Sequence, residues 1–264
     1  MPGLARSGLL ALVVLAIVGA LVLGRSAPSE AQSATSSPTP APIQPPLATP
    51  AGPGRLIFLG DCAFCHGTDA AGSNRGPSLQ GVGDADVDFY LSTGRMPITD
   101  VVQDPQRQTP AYDPHEIASI VSYVSSLGAG TGTPIPQGNL SSARLTQGEK
   151  LYTENCASCH SSVAAGGALT NGMYAPTLRP STPTQIAEAI RVGPGTMPVF
   201  GTDTLSDDQV NSIVKYVLYL QHPEDRGGLN LSHLGPITEG MIAFVVGLGA
   251  LLLFVRKIGT VVGE

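Results

Sequence analysis

The sequence predicts an all-α fold made of two copies of one small domain, with an apolar segment at each end of the chain. Three observations support this prediction. Helix-start signals precede segments with helical apolar spacing. No stretch alternates polar and apolar residues as a half-buried strand would. Finally, features of the first half recur in the same order in the second half, and 264 residues suffice for two small domains.

The most specific repeated feature is the run CAFCH at Cys62–His66, which returns as CASCH at Cys156–His160. A glycine, Gly54 or Gly148, stands eight residues before the first cysteine of each run. Three more pairs match: GPSL at 76–79 with APTL at 175–178, Met-Pro at 96–97 with Met-Pro at 197–198, and SIVSYVSSL at 119–127 with SIVKYVLYL at 212–220. Matches in one order indicate a duplicated domain.

Two linkers delimit the copies. Residues 26–53 are rich in Pro, Ser, Thr and Ala and predict an extended tether. Residues 128–138 form a second linker of similar composition. The predicted domains are therefore 54–127 and 139–225.

Helix boundaries are predicted from capping residues. The predicted N-caps, each with an acidic or amide partner three residues later, are Asp113 with Glu116, Thr146 with Glu149 and Ser206 with Gln209. Gly128 is predicted to end the last helix of the first domain, as glycine commonly does.

Both ends of the chain carry membrane signals. Within residues 1–25, the apolar run 9–23 follows Arg6 and fits either a secretory signal or a short membrane anchor. Residues 237–258 are long enough to span a bilayer and lack the wet face of a soluble helix. Arg256 and Lys257 predict that their end is cytoplasmic, so the domains would lie on the extracytoplasmic side of the plasma membrane.

Composition limits the possible partners and leaves room for a cofactor. The net charge is −6 and no basic run occurs inside the chain, so nucleic acid is not an expected partner. Aromatic residues make up only 5% and Trp is absent, so side chains alone would give thin cores. A non-protein group is expected to help fill them.

The four cysteines allow four interpretations: a disulfide framework, a dithiol redox motif, a zinc site shared by the two domains, or covalent haem. Disulfides and redox pairs do not require a histidine after both CxxC runs, and zinc would leave His66 and His160 incidental. CxxCH is the spacing of c-type haem attachment, in which the two cysteines form thioethers and the histidine ligates iron. Two covalently bound haem c groups are therefore predicted.

Methionines complete the predicted iron sites. Met96 and Met197 each follow a CxxCH run, precede a proline and lie ahead of the last helix of their domain. Methionine is a common sixth ligand and raises the reduction potential of the iron. Met173 has no counterpart in the first domain and is predicted to be a packing residue. The carbonyls of Pro77 and Pro176 are predicted to accept the other ring N–H of the axial histidines.

Each domain resembles a class I cytochrome c domain in its helix, CxxCH, GPxL-like loop, Met-Pro loop and last helix. The whole arrangement resembles the dihaem cytochrome c subunit of the actinobacterial menaquinol:cytochrome c reductase, the cytochrome bcc complex. The resemblance implies haem attachment and iron ligation by the following residues: Cys62, Cys65, His66 and Met96 in the first domain, and Cys156, Cys159, His160 and Met197 in the second. It also implies cytochrome b and Rieske iron–sulfur partners, membrane lipid, and electron delivery to an aa3-type cytochrome oxidase.

Two other functions remain open at this stage. A dihaem peroxidase-type enzyme would need one iron with an open coordination position. The two Met-Pro loops argue against it, because each would place a methionine in that position. A membrane-anchored dihaem carrier or subunit of another dehydrogenase would share all the domain motifs. One departure from the repeat is also noted: the loop between His160 and APTL is five residues longer than its counterpart after His66, so the second haem is expected to differ in exposure.

Overall fold

A computed structural model of the protein describes residues 52–100, 105–128, 132–224 and 236–261. Within these ranges the chain is helical, apart from one hairpin of two very short strands. The all-α prediction is confirmed with that exception. The signal or anchor predicted at 1–25 and nearly all of the tether predicted at 26–53 lie outside the described residues.

The helices follow the order of the sequence repeat. The first half contains α1 (Pro53–Ile57) continued by a π-helical turn (Phe58–Cys62), α2 (Ala63–His66), α3 (Asp84–Ser92) and α4 (Pro114–Leu127). The second half contains α5 (Leu145–Asn155), α6 (Ala157–His160), β1 (Gly167–Ala168), a 3-10 turn (Thr170–Gly172), β2 (Tyr174–Ala175), α7 (Pro183–Val192) and α8 (Asp207–Gln221). The antiparallel pair β1–β2 occupies the longer loop of the second half.

The repeated glycines mark the points where the first and last helices of each half cross. A Cβ atom on Gly54 of α1 would overlap the carbonyl oxygen of Ser119 in α4. A Cβ atom on Gly148 of α5 would overlap the carbonyl oxygen of Ser212 in α8 in the same way. The two helices of each pair therefore touch through their backbones, which only glycine permits.

An aromatic pair lies beside each crossing. The Phe58 and Tyr123 ring centroids are 5.3 Å apart at 57° in the first half. The Tyr152 and Tyr216 centroids are 5.5 Å apart at 56° in the second. These tilted rings are a favourable aromatic geometry and anchor one apolar core in each half.

Two of the three predicted N-caps are confirmed, and one is wrong. Capping boxes are formed at Asp113 and at Ser206. Thr146 does not cap α5, because that helix already begins at Leu145. The N–H of Arg144, which precedes the helix, instead donates to Ser212 Oγ of α8 at 3.2 Å. A contact between helices thus sets this boundary in place of the local motif.

Gly128 ends α4 as predicted, but for a different reason. Its φ of −108° lies outside the left-handed region that usually favours glycine at a helix end. A Cβ atom at this position would overlap the backbone nitrogen of Gly81. Close approach of two backbones, and not backbone conformation, therefore accounts for the glycine.

The two halves pack against each other through α3 and α7. Gln185 of α7 donates from Nε2 to the carbonyl oxygen of Ser92 at 3.0 Å and to its Oγ at 3.2 Å. The same glutamine completes a capping box with Thr182 at the start of α7. Its side chain therefore fixes both the start of a helix and the docking of the two halves.

The last helix, α9 (Pro236–Val261), carries the apolar C-terminal segment. Its stretch Glu239–Gly259 has a mean hydropathy of 2.2, and none of it is buried against the rest of the protein. At 1.5 Å per residue, 21 residues reach about 31 Å, which matches the hydrocarbon core of a bilayer. Among the described residues, this helix alone is long and apolar enough to cross a membrane.

Candidate haem-binding sites

The second half contains a cavity of about 300 Å³ bounded by all four of its predicted site residues. Cys156, Cys159, His160 and Met197 all line it. Most of the remaining wall is apolar, and α7, α8 and the hairpin contribute part of it. A volume of this order and an apolar wall with a few convergent polar groups are typical of a cofactor site, so these residues fit a haem c.

Both predicted axial histidines are oriented by a proline carbonyl. His66 Nδ1 lies 2.8 Å from the Pro77 oxygen, and His160 Nδ1 lies 3.0 Å from the Pro176 oxygen. Because a carbonyl can only accept, Nδ1 must carry the proton. Nε2 of each ring is then left with its lone pair, which is the atom an iron would take. The predicted hydrogen bonds are confirmed.

The loop behind each histidine has the same unusual backbone in both halves. Ala70 and Ala164 have φ values of 58° and 57°, in the left-handed region that alanine rarely adopts. The Ala70 carbonyl accepts from Leu79 N at 2.8 Å, and the Ala164 carbonyl accepts from Leu178 N at 2.9 Å. Each strained turn therefore holds its proline loop against the histidine.

In the first half, two of the predicted site residues lie at the edge of the apolar core. Cys62 and Met96 both pack against that core. Gly76 lies close to α2 (Ala63–His66), which we call the attachment helix of the first half. A Cβ atom on Gly76 would come within 3.1 Å of His66 Cε1. The GPSL loop thus covers the histidine ring, as APTL does in the second half.

The first cysteine of each run is a protected thiol. Burial raises the pKa of Cys62 to about 11, with a further increase from the negative charge of Asp61. Burial also raises the pKa of Cys156 to about 11, with a further increase from Cys159. Neither sulfur is a thiolate at neutral pH, in contrast to the cysteines of dithiol redox motifs, whose pKa is lowered.

The other interpretations of the cysteines lose their support. None of the four cysteines is paired in a disulfide. Among the residues that the structure describes, no three His, Cys, Asp or Glu side chains come together as a metal cluster. A zinc ion shared by the two CxxC runs would require such a cluster.

The two predicted axial histidines differ in exposure. His160 is buried, and burial lowers its pKa despite the opposing hydrogen bond to Pro176, so the ring is neutral as a ligand must be. His66 is half-buried. Leu169 and Tyr174 of the hairpin region line the cavity of the second half and have no counterpart in the first. The two histidines therefore differ in burial, and the difference in exposure between the two haems stays a prediction.

The remaining candidate ligands stay outside the cavity. Met173 is half-buried at the end of the 3-10 turn and does not line the cavity. His115 is exposed in the first turn of α4. His222 follows α8 and is not part of the wall, whereas His233 lies outside the described residues.

Sequence reasoning missed the residues at the interface of the halves. Glu188 of α7 is fully buried, and its carboxylate oxygens have no hydrogen-bond donor among the described residues. Its neighbours are Asp88 and Asp86 of α3. Burial, followed by the charge of Asp88, raises the pKa of Glu188 to about 10. At neutral pH this carboxyl is protonated and can donate to Asp88, whose own pKa is raised by burial.

Comparison with known proteins agrees with this geometry. The cytochrome c family model matches residues 51–128, and the model for subunit III of the cbb3-type cytochrome c oxidase matches residues 143–217. The cytochrome bc1 complex cytochrome c subunit of Corynebacterium diphtheriae is 34% identical over 78% of this chain and 79% of its own length. That of Mycobacterium bovis is 37% identical over 78% and 76%.

The chain belongs to the family of cytochrome bc1 complex cytochrome c subunits. This cytochrome c subunit contains two cytochrome c domains and binds haem c covalently. It is also membrane associated. A more distant relative is the cbb3-type cytochrome c oxidase subunit CcoP of Rhodobacter capsulatus, 28% identical over 62% of this chain and 60% of its own length.

Proposed function

We propose that this cytochrome c subunit is the dihaem electron-transfer subunit of a respiratory quinol–cytochrome c reductase. The chain receives electrons from a Rieske iron–sulfur protein, associates with cytochrome b, and passes electrons to a terminal cytochrome oxidase, in our proposal of the aa3 type. The observation that carries the proposal is the duplicated site on a chain 34–37% identical to bc1 complex cytochrome c subunits. The chain itself has no substrate-turnover site in this proposal.

Each half holds one haem c. The cysteines form the thioethers: Cys62 and Cys65 in the first half, Cys156 and Cys159 in the second. His66 and Met96 ligate the first iron, and His160 and Met197 ligate the second. The haem supplies a one-electron Fe(III)/Fe(II) couple. The protein supplies the fixed histidine rings, the methionine sulfur ligands and apolar walls that exclude water from the iron.

The C-terminal helix anchors the subunit in the plasma membrane with the haem domains on the extracytoplasmic side. Arg256 and Lys257 at its end support this orientation through the excess of cations on cytoplasmic flanks. With the N-terminal segment retained, the subunit is anchored twice; with it removed, once. Tethering two haems beside their partners raises their effective concentration there and replaces a diffusing carrier.

The decisive test is the set of chains that co-purify with this subunit after gentle detergent extraction. We expect a cytochrome b and a Rieske protein, together with the subunits of an oxidase. Their absence, with a different dehydrogenase in their place, would overturn the proposal. Recovery of a cbb3-type oxidase without a reductase would favour the second candidate, an oxidase subunit, to which the match at residues 143–217 points.

The ligand assignment has a separate test. If Met96 and Met197 fill the sixth positions, the reduced full-length chain does not bind carbon monoxide readily, and both haems are low-spin. In Met197→Ala we expect one of the two haems to become high-spin and to bind carbon monoxide, with the other unchanged. The matched control is Met173→Ala, which removes a methionine outside the cavity and is expected to leave both spectra unchanged. Carbon monoxide binding by the unmodified chain would support a peroxidase-type enzyme instead.

A further inference from the structure

The cavity of the second half is not walled by the second half alone. Phe89, Arg95, Gln106 and Arg107, all from the first half, form part of its lining. Two of these four residues are arginines. The first half therefore contributes two guanidinium groups to the site that contains Cys156 and His160.

Among the residues that the structure describes, these are the only two Lys or Arg side chains in the cavity wall. Two arginines of the second half, Arg191 and Arg179, are not part of this wall. Arg191 donates to the Phe200 carbonyl at 2.9 Å and to the Leu205 carbonyl at 2.7 Å, and it pairs with Asp207. Arg179 is exposed and does not line the cavity.

The ligand proposed for this cavity carries two negative charges. A haem bears two propionate carboxylates, and burial of an ionised carboxylate is costly unless a cation and hydrogen bonds compensate. Arginine suits this role because its planar fork can bind a carboxylate through two parallel N–H groups. The described part of the second half contributes no arginine to this wall.

Arg107 is already positioned for the task. Its Nη2 donates to Gln185 Oε1 at 2.7 Å and to Ser181 Oγ at 3.3 Å, both in the second half. Gln185 is in turn fixed by Ser92 and by the start of α7. Among the described residues, no carboxylate lies within ion-pair distance of Arg107. Burial lowers its pKa, as expected for a cation without a counter-charge.

Arg95 is the more buried of the pair, at 8% exposure. Its guanidinium carbon lies 4.9 Å from the centroid of the Phe89 ring, which also lines the cavity. Stacking on an aromatic face holds the guanidinium plane while its N–H groups remain directed along the edge. Arg95 is thus held beside the cavity by a ring contact, and Arg107 by hydrogen bonds to Gln185 and Ser181.

We propose that Arg95 and Arg107 of the first domain pair with the propionates of the haem bound by the second domain. The second haem site is then completed across the domain interface, and the first domain helps to set the potential of its neighbour's iron. This inference rests on the proposed function, because it requires a haem c at Cys156, Cys159 and His160.

The test is a redox titration of the full-length chain in detergent at several pH values, comparing the unmodified protein with Arg107→Gln. Loss of a nearby positive charge favours the oxidised iron, so we expect the potential of the second haem to fall. A tenfold change in the reduction equilibrium corresponds to about 59 mV for one electron, and a shift of this order is expected. A propionate without its cation also titrates closer to neutral pH, so the potential should become more pH-dependent.

Three variants separate this role from a structural one. Arg107→Lys retains the charge and should restore most of the potential. Arg179→Gln removes a positive charge of the second half outside the cavity and should change neither haem. Ser92→Ala weakens the docking of Gln185 without removing a cation, and it should leave the potential unchanged. A fourth variant, Met197→His, shows which spectroscopic signal and which potential belong to the second haem, because it replaces the proposed ligand of that iron alone.

The outcomes are distinct. A lower and more pH-dependent potential confined to the second haem in Arg107→Gln supports the proposal, and the same direction is expected for Arg95→Gln. An unchanged second haem, an equal shift of both haems, or the same shift in Ser92→Ala would overturn it. Failure of the proposed function would be seen separately, in the unmodified chain, as co-purification without a cytochrome b and a Rieske protein. A haem count other than two by intact mass would remove the haem that this inference requires.

Discussion

The two halves of the molecule share one frame and differ in what covers their haem sites. Each half has a glycine at its helix crossing, a tilted aromatic pair, a left-handed alanine and a proline carbonyl on its histidine. Among the described residues, the second half has a hairpin beside its cavity, and residues of the other half lie in the wall of that cavity. The shared features all hold the attachment helix, whereas the differences all control access and charge.

The features that the halves share therefore position the haem-binding residues, whereas the features that differ change the exposure and the charge around each haem site. The frame depends on backbone contacts within one half, so each copy can keep it independently of the other. The exposure and the charge of each haem site depend on its loops and on the other half of the molecule, so they can differ between two copies of one domain. In the first half, Phe64 of the attachment run is 70% exposed with Arg75 4.4 Å above its ring, and the corresponding Ser158 of the second half lines the cavity.

The largest loss of stability is expected at a glycine where two helices cross. It tests whether the helix packing that the two halves share depends on this glycine. In Gly54→Ala, the added methyl group overlaps the Ser119 carbonyl and must push α1 away from α4. We expect a loss of about 3 kcal/mol or more in the first half, together with incomplete attachment of its haem. Intact mass gives the number of haems, and a thermal scan gives the stability.

Gly60→Ala is the matched control, because no atom lies within 4 Å of a Cβ at that position. It should retain both haems and lose less than about 1 kcal/mol. Full haem attachment and unchanged stability in Gly54→Ala would show that the crossing is not a close backbone contact.

A smaller effect is expected from the buried carboxyl between the halves. The pKa of Glu188 is raised in the folded protein, so the folded state retains a proton that the unfolded state loses above about pH 4.5. The stability contribution of this group is therefore fully present below pH 4.5 and is lost as the pH rises toward 10. Asp86 and Asp88, whose pKa values are also raised, act in the same direction.

In Glu188→Gln the amide cannot ionise and can still donate to Asp88. We expect the variant to be more stable than the unmodified chain at pH 8, by about 1–3 kcal/mol, and to lose this advantage at pH 4.5. Thermal midpoints of the full-length chain at both pH values measure this difference. The exposed Glu149→Gln should change neither midpoint, and a stabilisation by Glu188→Gln that is equal at both pH values would contradict the assignment.

The smallest effects concern helix starts and sharpen the comparison of the halves. Asp113→Ala and Ser206→Ala each remove a confirmed capping box, one in each half, and each is expected to cost about 1 kcal/mol. Thr146→Ala removes a cap that α5 does not use and should cost less than about 0.5 kcal/mol. An equal loss in all three would restore Thr146 as a cap.

The local part of the structure could be predicted from the sequence. The duplicated order of CxxCH, proline loop, Met-Pro and last helix gave the two helical domains, and the position of Pro77 and Pro176 gave the histidine hydrogen bonds. These features depend on residues a few turns apart. The short hairpin could not be predicted, because strands of two residues carry no alternating pattern.

The interface between the halves could not be predicted either. Gln185 had a detectable signal, since it stands three residues after Thr182 as in a capping box, but nothing in the sequence showed that it also reaches Ser92. Arg107 and Glu188 carry no pattern, because their roles depend on α3 lying against α7. Docking of two domains leaves no periodic trace in a single sequence.

The crossing glycines have one more consequence. At Gly54 and Gly148 the separation of two helix axes is set by main-chain atoms, which are identical in every protein. Side-chain changes elsewhere in the four helices can alter the filling of each core without altering this separation. Both copies of the duplicated domain could therefore change in most of their side chains while the distance between the first and last helices of each copy stayed the same.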